Sequence, residues 1–123
     1  MDMMEKLREK ARKNPQKIAF PEATEENILR AAMESKSLGV AVPVFVGDPA
    51  AIKAAAGTLG IDITGVEIFD PADESLKADT VQRCLVQGGI LSEKALLRKA
   101  KDPLNFAFEL ELAGYVNGVF AGI

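Results

Sequence analysis

Histidine is missing from all 123 residues. It is the commonest general base near neutral pH and the commonest metal ligand. A zinc site or a Ser-His-Asp triad within this chain alone is therefore not expected. Cysteine occurs once, as Cys84, so no internal disulfide can form. No apolar run approaches the roughly 18 residues that a membrane span needs. Met1 to Lys13 is charged throughout and has none of the apolar core of a signal peptide. A lone thiol without an export signal points to the cytoplasm. Basic excess is absent too: the formal net charge is −3, whereas a nucleic-acid partner usually meets a basic surface. Neither a nucleic acid nor a membrane is expected as a partner. Neither GxGxxG nor GxxxxGK[ST] occurs, and the glycines fall singly at the ends of predicted helices, where a turn or cap explains them.

What is present is a globular composition, 48% hydrophobic and 27% charged, long enough for one domain with a real core. Met3, Met4, Leu7 and Ala11 lie near helical spacing on a charged segment that Asn14-Pro15 ends. Lys17 to Phe20 reads as a strand closed by Pro21. Thr24 can cap the next helix, with Glu25 and Glu26 in its first turn and Ile28, Leu29, Ala32 and Met33 as its apolar stripe. Gly39 stops it. Val42 to Val46 is a second strand, nearly all apolar, as a strand covered on both faces would be. Its Pro43 belongs at the strand start or at an edge. Asp48-Pro49 opens a helix ending at Gly60. Val66 to Phe69 is the third strand, closed by Asp70-Pro71.

A helix from Glu74 to about Gln87 follows, with Leu76, Val81, Cys84 and Leu85 inside. Ser92 caps the next, with Leu91 stapling onto Leu96. Asp102-Pro103 opens the last helix, striped by Phe106, Leu110 and Ala113 and stopped by Gly114. Tyr115 to Ala121 reads as a fourth strand. Alternation of this kind predicts an α/β, three-layer αβα fold with a mainly parallel sheet of four strands and six helices. Ligands in such sheets sit beyond the carboxyl ends of the strands. The chain stops at Ala121-Gly122-Ile123, where a functional loop would begin, so the expectation is an incomplete part of a larger subunit.

Few residues carry chemistry on their own. Glu22, after the first strand, is at a position where functional groups collect, but it also reads as a solvated turn carboxylate. Asp70 reads as a turn residue and Arg83 as a surface arginine. Cys84, on an apolar stripe, reads as buried structural cysteine rather than a reactive thiol.

Five segments, in this order and spacing, resemble the N-terminal region of the phosphate acetyl/butyryl transferase (phosphotransacetylase) family. They are Ile18-Ala19-Phe20-Pro21-Glu22; Val46-Gly47-Asp48-Pro49 with Ile52-Lys53; Leu59-Gly60-Ile61-Asp62-Ile63 running on to Gly65 through Pro71; Gly89 to Ala95 with Asp102-Pro103 and Phe106; and Gly118-Val119-Phe120-Ala121-Gly122. The resemblance implies that 1–123 is the N-terminal portion of an acyltransferase domain within a two-domain subunit that forms a homodimer. It implies transfer of an acetyl, propionyl or butyryl group between coenzyme A and phosphate. Coenzyme A is then a substrate, with no bound cofactor and no metal. Pro21, Glu22, Ala121 and Gly122 would form one wall of the substrate site. No catalytic residue is assigned, because the family draws most of those groups from beyond this stretch, and these 123 residues alone are expected to be inactive.

The sequence also departs from that pattern. The substrate-binding arginine that the resemblance would place in the helix before Gly88-Gly89 falls on Leu85, with Arg83 about 200° around the helix. The last strand has Asn117-Gly118 where Asp-Gly is usual, and Ala121-Gly122-Ile123 for Ser-Gly-Ala. Two other readings are a complete small receiver-like regulatory or binding module, and a non-catalytic acyltransferase-like domain of a larger enzyme. The first needs a fifth strand, an acidic cluster after the first strand and a lysine near the end. Glu22 is alone there, and no lysine follows Lys101.

Overall fold

The computed structural model describes residues 15–88 and 92–120. Four strands, β1 (Lys17–Phe20), β2 (Val42–Val46), β3 (Glu67–Phe69) and β4 (Gly118–Val119), form one parallel sheet in the order β3-β2-β1-β4. Five helices are seen among the described residues: α1 (Glu26–Ser37), α2 (Pro49–Leu59), α3 (Glu74–Gly88), α4 (Glu93–Lys99) and α5 (Pro103–Leu112). The predicted helix over Met3–Ala11 and the Leu91 staple lie outside the described residues.

Period-two alternation decides which helix covers which face. Ala19, Val44, Val46 and Phe69 point to one side, where they pack with Phe106, Ala107 and Leu110 of α5 and with Ala100 and Val116. Phe20 and Phe45 point to the other, against Ile28, Leu29 and Ala32 of α1 and Ile52 and Ala56 of α2. A third cluster joins α3, α4 and the end of α5 through Val81, Cys84, Leu96 and Ala113. The result is the expected three-layer αβα arrangement. Cys84 is buried, and its thiol donates to the Glu109 carbonyl at 3.2 Å.

Pro43 shows why strand position matters for an imino acid. The Val42 N–H donates to Gln16 O at 2.8 Å, toward β1. The nitrogen of Pro43 therefore faces the β3 side, where pairing begins only at Val44 with Glu67. No ladder bond is lost, and proline sits in an interior strand at its start.

Several element ends differ from the sequence reading. Glu25, not Thr24, is the N-cap of α1, because a turn in which the Glu25 N–H donates to Glu22 O at 3.0 Å delays the helix; no side chain caps it. Asp48 and Ser92 do cap, accepting from the N–H of Ala50 at 3.1 Å and of Ala95 at 3.0 Å. Asp102 occupies the N-cap position of α5 without a side-chain bond. At the end of α1, Gly39 takes φ 71°. Its N–H reaches Lys36 O, and that of Val40 reaches Ser35 O, both at 3.1 Å, a left-handed cap that favours glycine. β3 begins at Glu67 rather than Val66, and β4 is shorter than predicted, with residues 121–123 outside the described residues.

Short β4 is held by more than its own ladder. The Asn117 N–H donates to Lys17 O at 2.7 Å, while Asn117 Oδ1 accepts from the Lys17 N–H at 2.8 Å. The Phe120 N–H donates to Ala19 O at 2.8 Å. At Gly118 a Cβ would come within 3.2 Å of Ile18 Cδ1, so a glycine lets the two strands approach.

Two stability outcomes follow, both measured by urea unfolding. Asp48→Ala loses about 1 kcal/mol, whereas Asp102→Ala, at an N-cap whose side chain bonds nothing, changes stability by less than about 0.5 kcal/mol. Asn117→Ala loses about 1 kcal/mol with the acceptor for Lys17, and Asn117→Asp, which keeps that acceptor, retains most of it.

Candidate functional site

The connections locate a crevice. β1 leads through α1 to β2 on one side, and β2 through α2 to β3 beyond it. The chain then crosses by α3, α4 and α5 to place β4 on the opposite side of β1. The winding direction thus changes between β1 and β4, and the carboxyl ends of strands at such a switch point are where open α/β sheets bind ligands. The order matches the first four places of the doubly wound order 3-2-1-4-5-6, not the order 2-1-3-4-5 of receiver-like folds, which removes the receiver-like reading.

Pro21 and Glu22 lie at this edge, immediately after β1. Pro21 is buried and Glu22 half-buried in the turn that precedes α1. The Glu22 carbonyl accepts from Glu25, and no described residue pairs with its carboxylate. Beside them the rings of Phe20 and Phe120 meet with centroids 5.2 Å apart, tying the ends of β1 and β4 together. The other two predicted wall residues, Ala121 and Gly122, lie outside the described residues.

The same edge carries a feature that sequence reasoning missed. Past the ends of β2 and β3 is a cavity of about 400 Å³, lined by Asp48, Asp70, Pro71, Lys77, Lys101 and Pro103 among others. Two strand ends followed by Asp-Pro were the available signal, but each aspartate has a local task. Asp48 caps α2, and Asp70 Oδ1 accepts from the Ala72 N–H at 2.9 Å in a turn. Lys77 approaches Glu74 at 3.5 Å. A larger cavity, about 490 Å³, opens at the opposite, amino edge between Lys17, Lys36, Val42 and Val66, away from the switch point.

Of the three arginines among the described residues, two are paired with carboxylates, and the third, Arg98, is exposed on α4. Arg30 pairs with Glu26 at 2.8 Å on α1. Arg83 pairs with Asp79 at 2.9 Å and lies 4.5 Å over the Tyr115 ring, whose hydroxyl also bonds Asp79. The Tyr115 ring also meets that of Phe69, with centroids 5.8 Å apart, so Arg83 is held on the helix layer that covers this face of the sheet. Leu85 is half-buried and packs against the cluster of Val81, Cys84, Leu96 and Ala113; its role is packing. Among the described residues, no three or more of His, Cys, Asp and Glu gather where they could hold a metal ion. No described helix is long and apolar enough to cross a membrane.

Comparison with known proteins gives this geometry its context. Residues 2–123 match the family described as phosphate acetyl/butaryl transferase. The chain is 36% identical over 126 residues to a phosphate acetyltransferase of Clostridium acetobutylicum, an alignment covering 99% of this chain and 37% of that protein. It is 30% identical over 125 residues to a phosphate acetyltransferase of Staphylococcus aureus, covering 98% and 37%. Among solved structures, the EutD phosphotransacetylase from Staphylococcus aureus superposes with a TM-score of 0.80 at 28% identity, covering 92% of this chain and 34% of that one. A phosphotransacetylase from Streptococcus pyogenes gives 0.77 at 25% identity, covering 97% and 37%. The chain thus spans only 37% of the length of these two curated relatives. With a match across nearly all of its residues and the same fold, the chain belongs to the phosphate acetyl/butaryl transferase family.

Proposed function

We propose that this chain supplies the sheet and one wall of the active site of an enzyme that moves a short acyl group, acetyl, propionyl or butyryl, between coenzyme A and phosphate. The carrying observation is that the family match extends over residues 2–123 while the fold sets Pro21-Glu22 at the switch point of a doubly wound sheet. In this reading Ala121 and Gly122 continue the wall beyond Phe120. The substrates are acyl-coenzyme A and phosphate, and coenzyme A is consumed and regenerated rather than held as a cofactor.

The reaction sets physical demands. The thiol sulfur of coenzyme A attacks the acyl carbonyl, a base takes the thiol proton, and phosphate leaves with the electrons of the broken C–O bond. Guanidinium groups hold the acyl phosphate best, because a planar fork meets two phosphate oxygens at once. Fixed donors stabilise the oxyanion that forms on the way. Arg30 and Arg83 are already paired with carboxylates. Arg98 is exposed on α4, and in this reading the phosphate-holding arginines and the thiol base lie in the greater length that the relatives have and this chain does not span. The buried free thiol of Cys84 suits a reducing cytoplasm, and a dimer of two-domain subunits is the assembly that the family resemblance suggests.

Purified 1–123 will show no formation of acyl-coenzyme A from acetyl, propionyl or butyryl phosphate, whereas the longer protein that contains it will be active with at least one. Turnover by 1–123 itself would show that the catalytic groups are misplaced. Inactivity of the longer protein with all three would favour a non-catalytic acyltransferase-like domain. In the active protein, Glu22→Gln should lower kcat/KM about tenfold or more, the loss expected for one charge-assisted contact. Its thermal midpoint should stay put, since no described residue bonds that carboxylate.

A further inference from the structure

Glu109 is the one side chain described here that is buried with polar atoms unpaired: it is 6% exposed, and neither carboxylate oxygen has a hydrogen-bond partner. It lies on α5 one turn before Ala113, which packs with Val81 and Cys84 of α3 and Leu96 of α4. The Cys84 thiol donates to the backbone carbonyl of Glu109 itself, at 3.2 Å. Burying a carboxyl group without hydrogen-bond partners is costly, and the group has two ways to reduce that cost. The group can take a proton and stay, or it can ionise and be hydrated, which requires α5 to part from α3 and α4.

We propose that Glu109 is a protonation latch: neutral, it lets α5 seat against α3 and α4, and ionised, it opens that layer and exposes Cys84.

The charges around it fit that role. β2 and β4, which also pack on α5, carry no titratable residue. α4 contributes Lys99, whose positive charge favours the ionised form. α3 contributes Cys84; its other charged groups near this layer, Asp79 and Arg83, are paired with each other. On α5 itself the neighbouring Glu111 is exposed. Burial outweighs Lys99 and pushes the Glu109 carboxyl up from 4.5 to about 7. A carboxyl raised in the folded state contributes fully below its ordinary range; that contribution is lost as pH rises toward the folded value and does not return above it. Burial pushes the Cys84 thiol up, to about 11. With Cys84 fully buried, a reagent reaches the thiol only when the layer opens, and its labelling reports that opening.

The test is the protection of Cys84 against a dithiodipyridine reagent in the intact protein, followed by mass spectrometry of the Cys84 peptide. Protection is the labelling rate of unfolded protein divided by that of native protein at the same pH, which cancels the intrinsic titration of the thiol. In the wild type it should fall about tenfold or more between about pH 5 and pH 7, then level off. In Glu109→Gln, and in Glu109→Met, which fills the seat without polar atoms, it should vary less than about twofold over the same range. Flat protection in the wild type, or an equal fall in either variant, overturns the proposal.

Discussion

β1 is gripped on both sides, and the rest of the molecule is arranged by that grip. Its partner on one side is β2, in register from Lys17 with Val42 to Phe20 with Phe45. On the other side is β4, of which only Gly118 and Val119 count as strand. Two residues of ladder would be a weak join. The Asn117–Lys17 pair of bonds, the Phe120 N–H on Ala19, the close approach at Gly118 and the Phe20–Phe120 contact extend it along the whole of β1. That join makes β1 an interior strand, puts helices on both faces, and creates the switch point at its carboxyl end. Pro21 and Glu22 owe their position to it.

Much of this is legible in the residues because the signals are physical and local. A nearly all-apolar Val42–Val46 stretch can be satisfied only by cover on both faces, and it has that cover. Cys84, three residues after Val81 on an apolar stripe, is buried as the spacing requires. Asp48-Pro49 fixes a helix start because side chain and proline ring favour the same geometry. Where the reading missed, a nonlocal or competing bond decided. Thr24 loses the N-cap position to Glu25 because the turn after Pro21 uses the backbone first. Asp102 has the composition of a cap but makes no side-chain bond. The extent of β4 depends on what lies across from it, which no spacing within the strand reports.

Of the candidate site, the sequence marked only the residues that follow β1 and β4. Glu22 follows a strand, and that alone marks it. The cavity among Asp48, Asp70, Lys77 and Lys101 draws residues from four places in the chain, and Lys77 and Lys101 belong to no motif. Glu109 was invisible for a related reason: a glutamate on a helix normally faces water, and only packing of α3 and α4 around α5 shows that this one does not. The departures from the family pattern acquire physical content here. Leu85 fills the α3–α4–α5 cluster, and Asn117 supplies an acceptor that a carboxylate could equally supply.

The central claim is that substrates meet at the carboxyl edge between β1 and β4. A crystal structure of the intact protein with coenzyme A bound tests it most directly. The thiol end of coenzyme A should then lie beside Pro21 and Glu22, within reach of the segment that follows Phe120. A thiol end seated instead in the cavity of Asp48, Asp70, Lys77 and Lys101, or at the amino edge beside Lys17 and Lys36, would contradict it.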